Sequence, residues 1–461
     1  MTQFRRALLA AAVFPIAVLS PLAAGAETIQ GAMAKAYANN PDVNAARAGL
    51  RATDESVTIA KAGYRPQISA NATAARSVAY GVNNINGANG FITSDSIGIT
   101  ISQQVFDGFQ TLNRVNAAEA GVFAAREQLR ATEMQILFSA AQSYANVALY
   151  QEIVAIRKQN LAFLNEQLKA SNARLQVGEG TKTDVSQAQA QLAAAQALLA
   201  AATAQLKQAQ AVYAQIVGEQ PKGISQAKAA RAGIPGGIDS AVALGMKQHP
   251  SILAAQHAVD AAGFQVKTAE GSMLPGVAIQ GSAARNYGDP STFSNPRTYN
   301  SLSIAASLTI PIYKGGAEYG SIRQAKETLN QQQIKVDSAQ QAVQQSIVSS
   351  YAQLEASGAA ISANKQALSA ANLALSGVME ERNVGQATTL DVLNAQQQVL
   401  NAKENLAQAQ HDSVVASYAV LTSVGGLTVE SQHLNVAEYN PEEHYNAVKD
   451  AWFGLRVVDD K

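Results

Sequence analysis

The amino-acid sequence predicts an α+β membrane protein in which one unit, a β-hairpin followed by a long α-helical hairpin, occurs twice. Three observations predict this fold class. The 461-residue chain repeats itself with a period of about 207 residues, and each repeat contains a long proline-free stretch rich in alanine and glutamine. A shorter stretch of alternating apolar and polar residues precedes each proline-free stretch. A duplication of this length indicates one pseudo-symmetric body rather than several unrelated domains.

The internal repeat is clearest between residues 174–192, RLQVGEGTKTDVSQAQAQL, and residues 381–399, ERNVGQATTLDVLNAQQQV. Each pair of identical residues is separated by 207 positions: Val177 and Val384, Gly178 and Gly385, Thr181 and Thr388, and Asp184 and Asp391. The repeat divides the chain into a first unit at 27–230, a second unit at 231–428 and a C-terminal tail at 429–461.

The first 26 residues have the features of a secretory signal peptide. Arg5 and Arg6 supply its positive start, residues 7–19 its apolar stretch, and residues 24–26, Ala-Gly-Ala, its cleavage site. A short buried helix is the less favoured interpretation. No later segment has about 18 consecutive apolar residues. The processed chain is therefore expected either to stay soluble in an exported compartment or to enter a membrane as β-strands.

β-Hairpins are predicted at about 67–106 and 276–313, because apolar and polar residues alternate there with a period of two. The clearest example is LSIAASLTIPI, residues 302–312, and polar loops at 83–90 and 288–296 join the strands. This pattern is typical of membrane β-barrel strands, although a soluble hairpin with one buried face shares it. Four strands are too few to enclose a channel, whereas three chains would supply twelve.

Helical hairpins are predicted at about 108–218 and 315–425, where proline is absent and alanine, glutamine and leucine are frequent. The second helix of each hairpin has a seven-residue repeat, with a large apolar residue at one seam position and alanine at the other. In the first copy the large residues are Val185, Leu192, Leu199, Leu206 and Tyr213, and the alanines are Ala188, Ala195, Ala202 and Ala209. Alanine allows the paired helices to approach closely.

Glycines mark the turn at the end of each helical hairpin: Gly178 and Gly180 in the first copy and Gly385 in the second. Glycine adopts the backbone conformations that such a turn requires. A helix over residues 110–176 would be roughly 100 Å long at 1.5 Å per residue. A single chain cannot bury so extended an object, which predicts oligomerisation.

The composition gives little support for catalysis, cofactor binding or nucleic-acid binding. Cysteine is absent, which excludes disulfides, thiolate metal sites and an acylated N-terminal cysteine. Thirty-four basic residues balance 34 acidic ones, so no basic field attracts nucleic acid. The five histidines lack metal-ligand spacing, and neither a phosphate-binding loop nor a G-x-S-x-G elbow occurs. The chain is expected not to be an enzyme and to hold no metal or cofactor.

Several short motifs resemble the TolC family of outer-membrane efflux and secretion channels, and the resemblance covers nearly all of the processed chain. The motifs are NNPDV at 39–43, AGYRPQIS at 62–69, VFDG at 105–108, KQHPSI at 247–252, PIYKGG at 311–316, and the two VGxxT turns with their following Asp-Val.

This resemblance implies a homotrimer with a twelve-stranded barrel in the Gram-negative outer membrane, standing on a periplasmic coiled-coil barrel of helices. It implies that the duct conducts substrates passively and opens by an iris-like movement of its periplasmic tips. The implied partners are outer-membrane lipid, a periplasmic adaptor and an inner-membrane pump of the RND, MFS or ABC type. The sequence does not separate drug efflux from protein secretion.

The resemblance also implies a gate beside the second turn, where the family places two rings of aspartate. Asp391 matches one ring, whereas Asn394 departs from the other. The family links neighbouring helix pairs through a tyrosine and an arginine, but this chain has Arg382 at the tyrosine position and alanine at the arginine position. The acceptors of that linkage match, as Thr183 and Asp184. Pairing of Arg382 with Asp184 of a neighbouring helix pair is the expected substitute.

A structural interpretation of the same residues stays open. Thr181-x-x-Asp184 and Thr388-x-x-Asp391 have the pattern of helix-capping pairs, in which the carboxylate also favours the positive end of the helix. For Asp184 capping alone is the favoured role. For Asp391 a lumenal gating role is favoured, and capping is compatible with it.

Two further alternatives apply to the whole chain. An exported coiled-coil protein or adhesin without channel activity would have similar helices, and a periplasmic adaptor also carries a helical hairpin. The adaptor is less favoured because this chain has two hairpins and membrane-type strands. The C-terminal tail, with NPEEHY at 440–445 and Trp452-Phe453, is expected to pack at the equator of the helical tunnel, with exposure as a partner site as the alternative.

Overall fold

The computed structural model describes residues 27–79, 90–230, 232–288 and 298–457. The predicted signal peptide lies outside the described residues. So do the two predicted strand loops, apart from their end residues Gly90 and Gly288.

The first repeat consists of two short helices, two strands and two long helices. They are α1 (Ile29–Asn39), α2 (Pro41–Lys61), β1 (Gln67–Ala79), β2 (Gly90–Phe106), α3 (Gln110–Gln176) and α4 (Lys182–Val217). A proline follows the cap of α2, where Asn40 accepts from the backbone N–H of Asp42 at 2.8 Å. Proline suits the first position of a helix because that position needs no backbone donor.

The second repeat has the same order of elements. They are α5 (Ile238–Gln248), α6 (Pro250–Gly271), β3 (Gly276–Tyr287), β4 (Thr298–Thr309), α7 (Ala317–Asn383) and α8 (Thr389–Ser423), and α9 (Pro441–Val448) follows in the tail. His249 caps α6 as Asn40 caps α2. Helices α3 and α7 each have 67 residues. None of the helices in the described ranges is both long and apolar enough to cross a membrane.

The four strands form one antiparallel sheet in the order β1-β2-β3-β4. Directly paired residues share a face, and the register separates apolar from polar side chains over the part of the sheet nearest the helices. Towards the other end, Arg76, Asp95 and Arg285 lie on the same face as the apolar residues. One face exposes Ile68, Ile97, Ile99, Ile101, Ile279, Leu302, Ile304 and Leu308. The other face carries Ser69, Thr100, Ser282 and Ser303 in one continuous row, in which the last two hydroxyls are 2.8 Å apart. The predicted alternation therefore gives a sheet with one apolar and one polar face.

The last strand is shorter than the alternation predicted. Strand β4 ends at Thr309, whereas the pattern extended to Ile312. Pro311 explains the difference, because proline has no backbone N–H to donate to a neighbouring strand.

Alanines line the contact between the paired long helices, as the seven-residue repeat predicted. Four alanines of α4 are 0 to 8% exposed: Ala188, Ala195, Ala202 and Ala209. In α8 the equivalent alanines Ala402, Ala409 and Ala416 and the large seam residues Val392, Val399 and Val420 are buried. The small side chains bring the helix backbones together along the whole hairpin.

The main hydrophobic core lies around the middle of α3, where the C-terminal ends of α4 and α8 pack, and it joins both repeats. Its largest fully buried side chains are Tyr144, Tyr213 and Tyr418, from α3, α4 and α8. Helix α1 and the segment after α8, including Leu427 and Leu434, complete the cluster. Helix α1 and the segment that follows α8 therefore pack into the same core.

The two repeats differ in how much each buries within one chain. Helix α3 buries 20 residues, while α7 of the same length buries four: Glu318, Val343, Ile347 and Ser357. Apolar side chains of α7 remain exposed, among them Ile334, Val348 and Leu373. The sequence repeat is thus more symmetric than the packing.

We expect Ala202→Leu to destabilise the first helical hairpin by about 1–3 kcal/mol, because the added methyl groups overfill a fully buried seam position. Unfolding in denaturant, followed by circular dichroism of the helices, measures the change. Ala201→Leu on the exposed side of the same turn is the control and should stay within about 0.5 kcal/mol of the parent. Equal effects of the two substitutions would contradict close packing at Ala202.

Candidate functional site

The two helix-tip turns have the same backbone conformation. Gly178 and Gly385 have φ values of 86° and 81°, in the left-handed region that favours glycine. Gly180 is needed for space and not for its backbone conformation. A Cβ there would meet the backbone N of Leu175 at 3.1 Å and Cβ of Arg174 at 3.2 Å. Each turn lies at the end of a 67-residue helix, roughly 100 Å from the sheet at 1.5 Å per residue.

Each turn ends in a capping box that starts the returning helix. Thr181 Oγ1 accepts from the backbone N–H of Asp184 at 3.2 Å, and Asp184 Oδ2 accepts from the backbone N–H of Thr181 at 3.0 Å. Thr388 and Asp391 repeat this arrangement at 3.2 Å and 2.8 Å. The capping interpretation of both aspartates is therefore confirmed as one of their roles.

These hydrogen bonds lower the pKa of both aspartates. The Thr181 hydroxyl and backbone N–H hold the pKa of Asp184 below its usual value, and a hydrogen bond from Thr389 adds to the effect. The Thr388 hydroxyl and backbone N–H likewise lower the pKa of Asp391. Thr389 belongs to the second turn, so the two tips meet within one chain.

Asp391 and Asn394 lie exposed on one side of α8, while the neighbouring Val392 and Leu393 are buried. Residues three apart on a helix share a face. The exposed face at the second tip therefore presents one carboxylate followed by one neutral amide. Thr183 is also exposed, at the start of α4.

Arg382 has a partner that sequence reasoning missed. Its Nη1 donates to Gln167 Oε1 of α3 at 2.5 Å. Burial and the nearby Arg174 guanidinium lower the pKa of Arg382. Its Nε is buried and lacks a hydrogen-bond partner in the described part of the chain. Within one chain this contact occupies Nη1 of Arg382, and the pairing of Arg382 with Asp184 of a neighbouring helix pair stays a prediction.

Gln167 belongs to a row of polar ties that joins α3 to the helices of the second repeat. Arg157 and Glu404 form the strongest tie, with Nε to Oε1 at 2.7 Å and Nη2 to Oε2 at 3.3 Å. Arg157 Nη1 also donates to the carbonyl of Leu198 in α4 at 2.7 Å. The other ties are Gln396 to Asn160, His411 to Asn146 and Arg382 to Gln167.

The sequence contained a signal for these ties. In α3, apolar residues recur every seven positions at Val115, Val122, Leu129 and Ile136. When this period is continued along the helix, its seam positions hold Asn146, Arg157, Asn160 and Gln167 where apolar residues are expected. A polar residue at a seam position needs a polar partner, because burial without one is costly. The ties hold the two helical hairpins side by side, and any movement that parts the hairpins must break them.

Among the described residues, no group of three or more histidine, aspartate or glutamate side chains could hold a metal ion.

Acid should loosen both tips. Because folding lowers the pKa of Asp184 and Asp391, their contribution to stability is complete above the ordinary aspartate value of 3.8. It is lost as pH falls through the lower pKa of the folded state. Hydrogen exchange at the two turns should therefore accelerate below pH 3.8, beyond the intrinsic pH dependence of exchange. The control is the double variant Asp184→Asn with Asp391→Asn, which has no carboxylate to titrate there. The same acid response in the control would show that other groups cause it.

The chain matches a family model described as "Outer membrane efflux protein" over residues 32–219 and 244–426, which are the two repeats. It is 47% identical over 442 residues to the outer membrane efflux protein BepC of Brucella suis, covering 96% of this chain and 95% of the relative. It is 26% identical to the outer membrane protein TolC of Vibrio cholerae, covering 87% and 92% of the two chains.

Solved structures have the same fold at low sequence identity. The Campylobacter jejuni CmeC outer membrane channel superposes with a TM-score of 0.78 at 16% identity, covering 92% of this chain and 89% of that one. CusC superposes with a TM-score of 0.77 at 19% identity, covering 87% and 93%. The two repeats, the sheet and the family match lead to one conclusion. The chain belongs to the outer membrane efflux protein family, the TolC family of channels, and is an exit duct in the outer membrane.

Proposed function

We propose that three copies of the chain form the duct. Their twelve strands close one barrel in the outer membrane, and their long helices form a tunnel that reaches into the periplasm. A periplasmic adaptor connects the tunnel tips to an inner-membrane pump, which supplies the substrate and the energy.

The two-faced sheet is the observation that carries this proposal. Its apolar face suits lipid, and its polar face suits a water-filled channel. In the order β1-β2-β3-β4, the outer edges of β1 and β4 have no partner strand among the residues that the structure describes. In a membrane, backbone groups along such an edge would lack hydrogen-bond partners, so each edge needs the edge of another chain.

The exposed α7 helix supports the same assembly. It buries four of its 67 residues within one chain and leaves Ile334, Val348 and Leu373 exposed. A neighbouring helical hairpin would cover these side chains, as adjacent helices do in a coiled-coil barrel.

The gate of the duct is proposed at the tips, where three copies of Asp391 surround one axis. A ring of carboxylates in a narrow passage attracts cations. Asn394 lies one turn further along and adds a neutral ring. Arg382 joins neighbouring helical hairpins. Within one chain it donates to Gln167, and between chains it pairs with Asp184 of the neighbouring copy. Parting of the tips breaks these contacts and opens the duct.

The names of the relatives support two kinds of partner system. BepC is an efflux protein, whereas AprF of Pseudomonas aeruginosa, 23% identical over 323 residues, is an alkaline protease secretion protein. The much higher identity to BepC favours efflux over protein secretion for this chain. Affinity purification with the tagged full-length protein as bait identifies the pump. Recovery of a protease exporter in place of a small-molecule pump would contradict the efflux assignment.

We expect the purified protein to have the mass of three chains by light scattering in detergent, after correction for bound detergent. The reason is that β1 and β4 need partner strands, and the described part of one chain supplies none for their outer edges. A stable folded monomer that conducts ions in a bilayer would contradict the shared barrel. A trimer without any conductance would instead favour a purely structural role.

Asp391→Asn should reduce cation selectivity and weaken block by multivalent cations several-fold in planar-bilayer recordings, because it removes a carboxylate from each chain at the constriction. The matched variant Asn394→Asp adds a carboxylate one helical turn away and should strengthen the same block. If neither substitution changes selectivity or block, Asp391 serves as a helix cap alone and the constriction lies elsewhere.

A further inference from the structure

The C-terminal tail runs along α2 from the central core to the sheet. Residues 439–451, here called the strap, follow α2 in order. The backbone N–H of Tyr439 donates to the hydroxyl of Tyr37 at 3.1 Å, near the core. Further along, Thr58 Oγ1 donates to the carbonyl of Val448 at 2.7 Å.

Helix α9 holds the middle of the strap in place through buried contacts. His444 Nδ1 lies 2.9 Å from Asp54 Oδ2, and both side chains are almost fully buried. The guanidinium of Arg126 lies over the ring of Tyr445 at 5.2 Å and reaches Glu442 at 3.5 Å. A strap fixed in this way has a defined end point.

The strap ends at the junction between helices and sheet. Arg65 Nη1 donates to the carbonyl of Ala451 at 2.6 Å, and the Arg65 guanidinium lies 4.8 Å from the centre of the Trp452 ring. Strand β1 begins at Gln67, and Ile68 is exposed on its apolar face. The strap therefore brings Trp452 to the inner end of the face that we assign to lipid.

Most of the described residues beyond the strap are apolar and exposed. In residues 452–457, here called the terminal segment, Trp452 is 67% exposed, Phe453 is 95% exposed and Leu455 is fully exposed. Val457 is also exposed, and Arg456 lies beside it. Tryptophan, phenylalanine and a basic residue together are typical of segments at the boundary between lipid and water.

Other aromatic side chains are exposed at the same end of the sheet. Tyr64 precedes β1, Phe109 follows β2 and Tyr313 follows β4, and each is at least half exposed. In an antiparallel sheet the start of β1 and the ends of β2 and β4 lie at the same end of the sheet. The terminal segment thus extends a belt of aromatic residues at the level where strands become helices.

We propose that the terminal segment is a membrane anchor that inserts among the phospholipid headgroups on the periplasmic side of the outer membrane. The Trp452 and Phe453 rings and Leu455 enter the boundary of the acyl chains, while Arg456 stays at the level of the lipid phosphates. The continuity with the apolar face of the sheet and the aromatic belt favours lipid over a second copy of the chain as the occupant.

The sequence provides its own probe, because Trp452 is the single tryptophan of the chain. The full-length protein is reconstituted in phosphatidylethanolamine–phosphatidylglycerol vesicles with lipids brominated near the headgroup, and tryptophan emission is compared with that in unbrominated vesicles. We expect brominated lipid to remove most of the emission and aqueous iodide to remove little. Quenching by iodide alone would place the segment in water, and quenching by neither would place it between copies of the chain. Either result overturns the proposal.

Two variants complete the test. In Trp452→Phe with Phe163→Trp, the probe moves to α3, roughly 80 Å from its first residue at 1.5 Å per residue, and brominated lipid should have no effect. In Phe453→Asp with Leu455→Asp, the neighbouring apolar side chains are removed, and Trp452 should lose lipid quenching and gain quenching by iodide. Unchanged lipid quenching in the second variant would show that these side chains do not hold the segment in the membrane.

Discussion

Close contact between paired helices through alanine is the interaction on which the molecule depends. With Ala188 and Ala202 fully buried, α4 lies directly against α3, and α8 is packed by the same pattern in the second repeat. This contact allows helices of 67 residues to extend far from the central core without a globular domain around them. The tip turns and their capping boxes occur in equivalent positions because both hairpins are built to the same length.

Local features of the structure could be predicted from the sequence because short-range rules determine them. The heptad alanines, the glycine turns and the Thr181–Asp184 and Thr388–Asp391 boxes each depend on residues within one or two helical turns. The bounds of α3 follow from helix-favouring composition and the corner that precedes it. Pro311 indicates that β4 ends early, but the alternation of apolar residues continues past it and led to the longer predicted strand.

Contacts between distant segments could not be predicted in the same way. The polar seam positions of α3 indicated that partners exist, but not that Gln167 would meet Arg382 or that Arg157 would meet Glu404. The course of the C-terminal tail along α2 has no periodic signal, since it depends on single contacts such as His444 with Asp54. The expectation of three copies came from the resemblance to a family, because the pattern of one chain predicts oligomerisation without its number of copies. The difference in burial between α3 and α7 could not be predicted either, because the two helices occupy equivalent positions in the repeats and differ only in their neighbours.

Because the helices follow a seven-residue repeat, the length of the helical hairpins can change in steps of seven residues. Removing seven residues shortens a helix by about 10 Å and returns every remaining side chain almost to its original face. The equal length of α3 and α7 means that such a change must occur in both repeats, and in α4 and α8 as well, to keep the two tips level. Adding or removing matched heptads would change the length of the helical hairpins and leave the sheet and the tip turns as they are. A deletion far from a whole number of turns would rotate the alanine seam away from its partner helix, by about 100° for each residue removed.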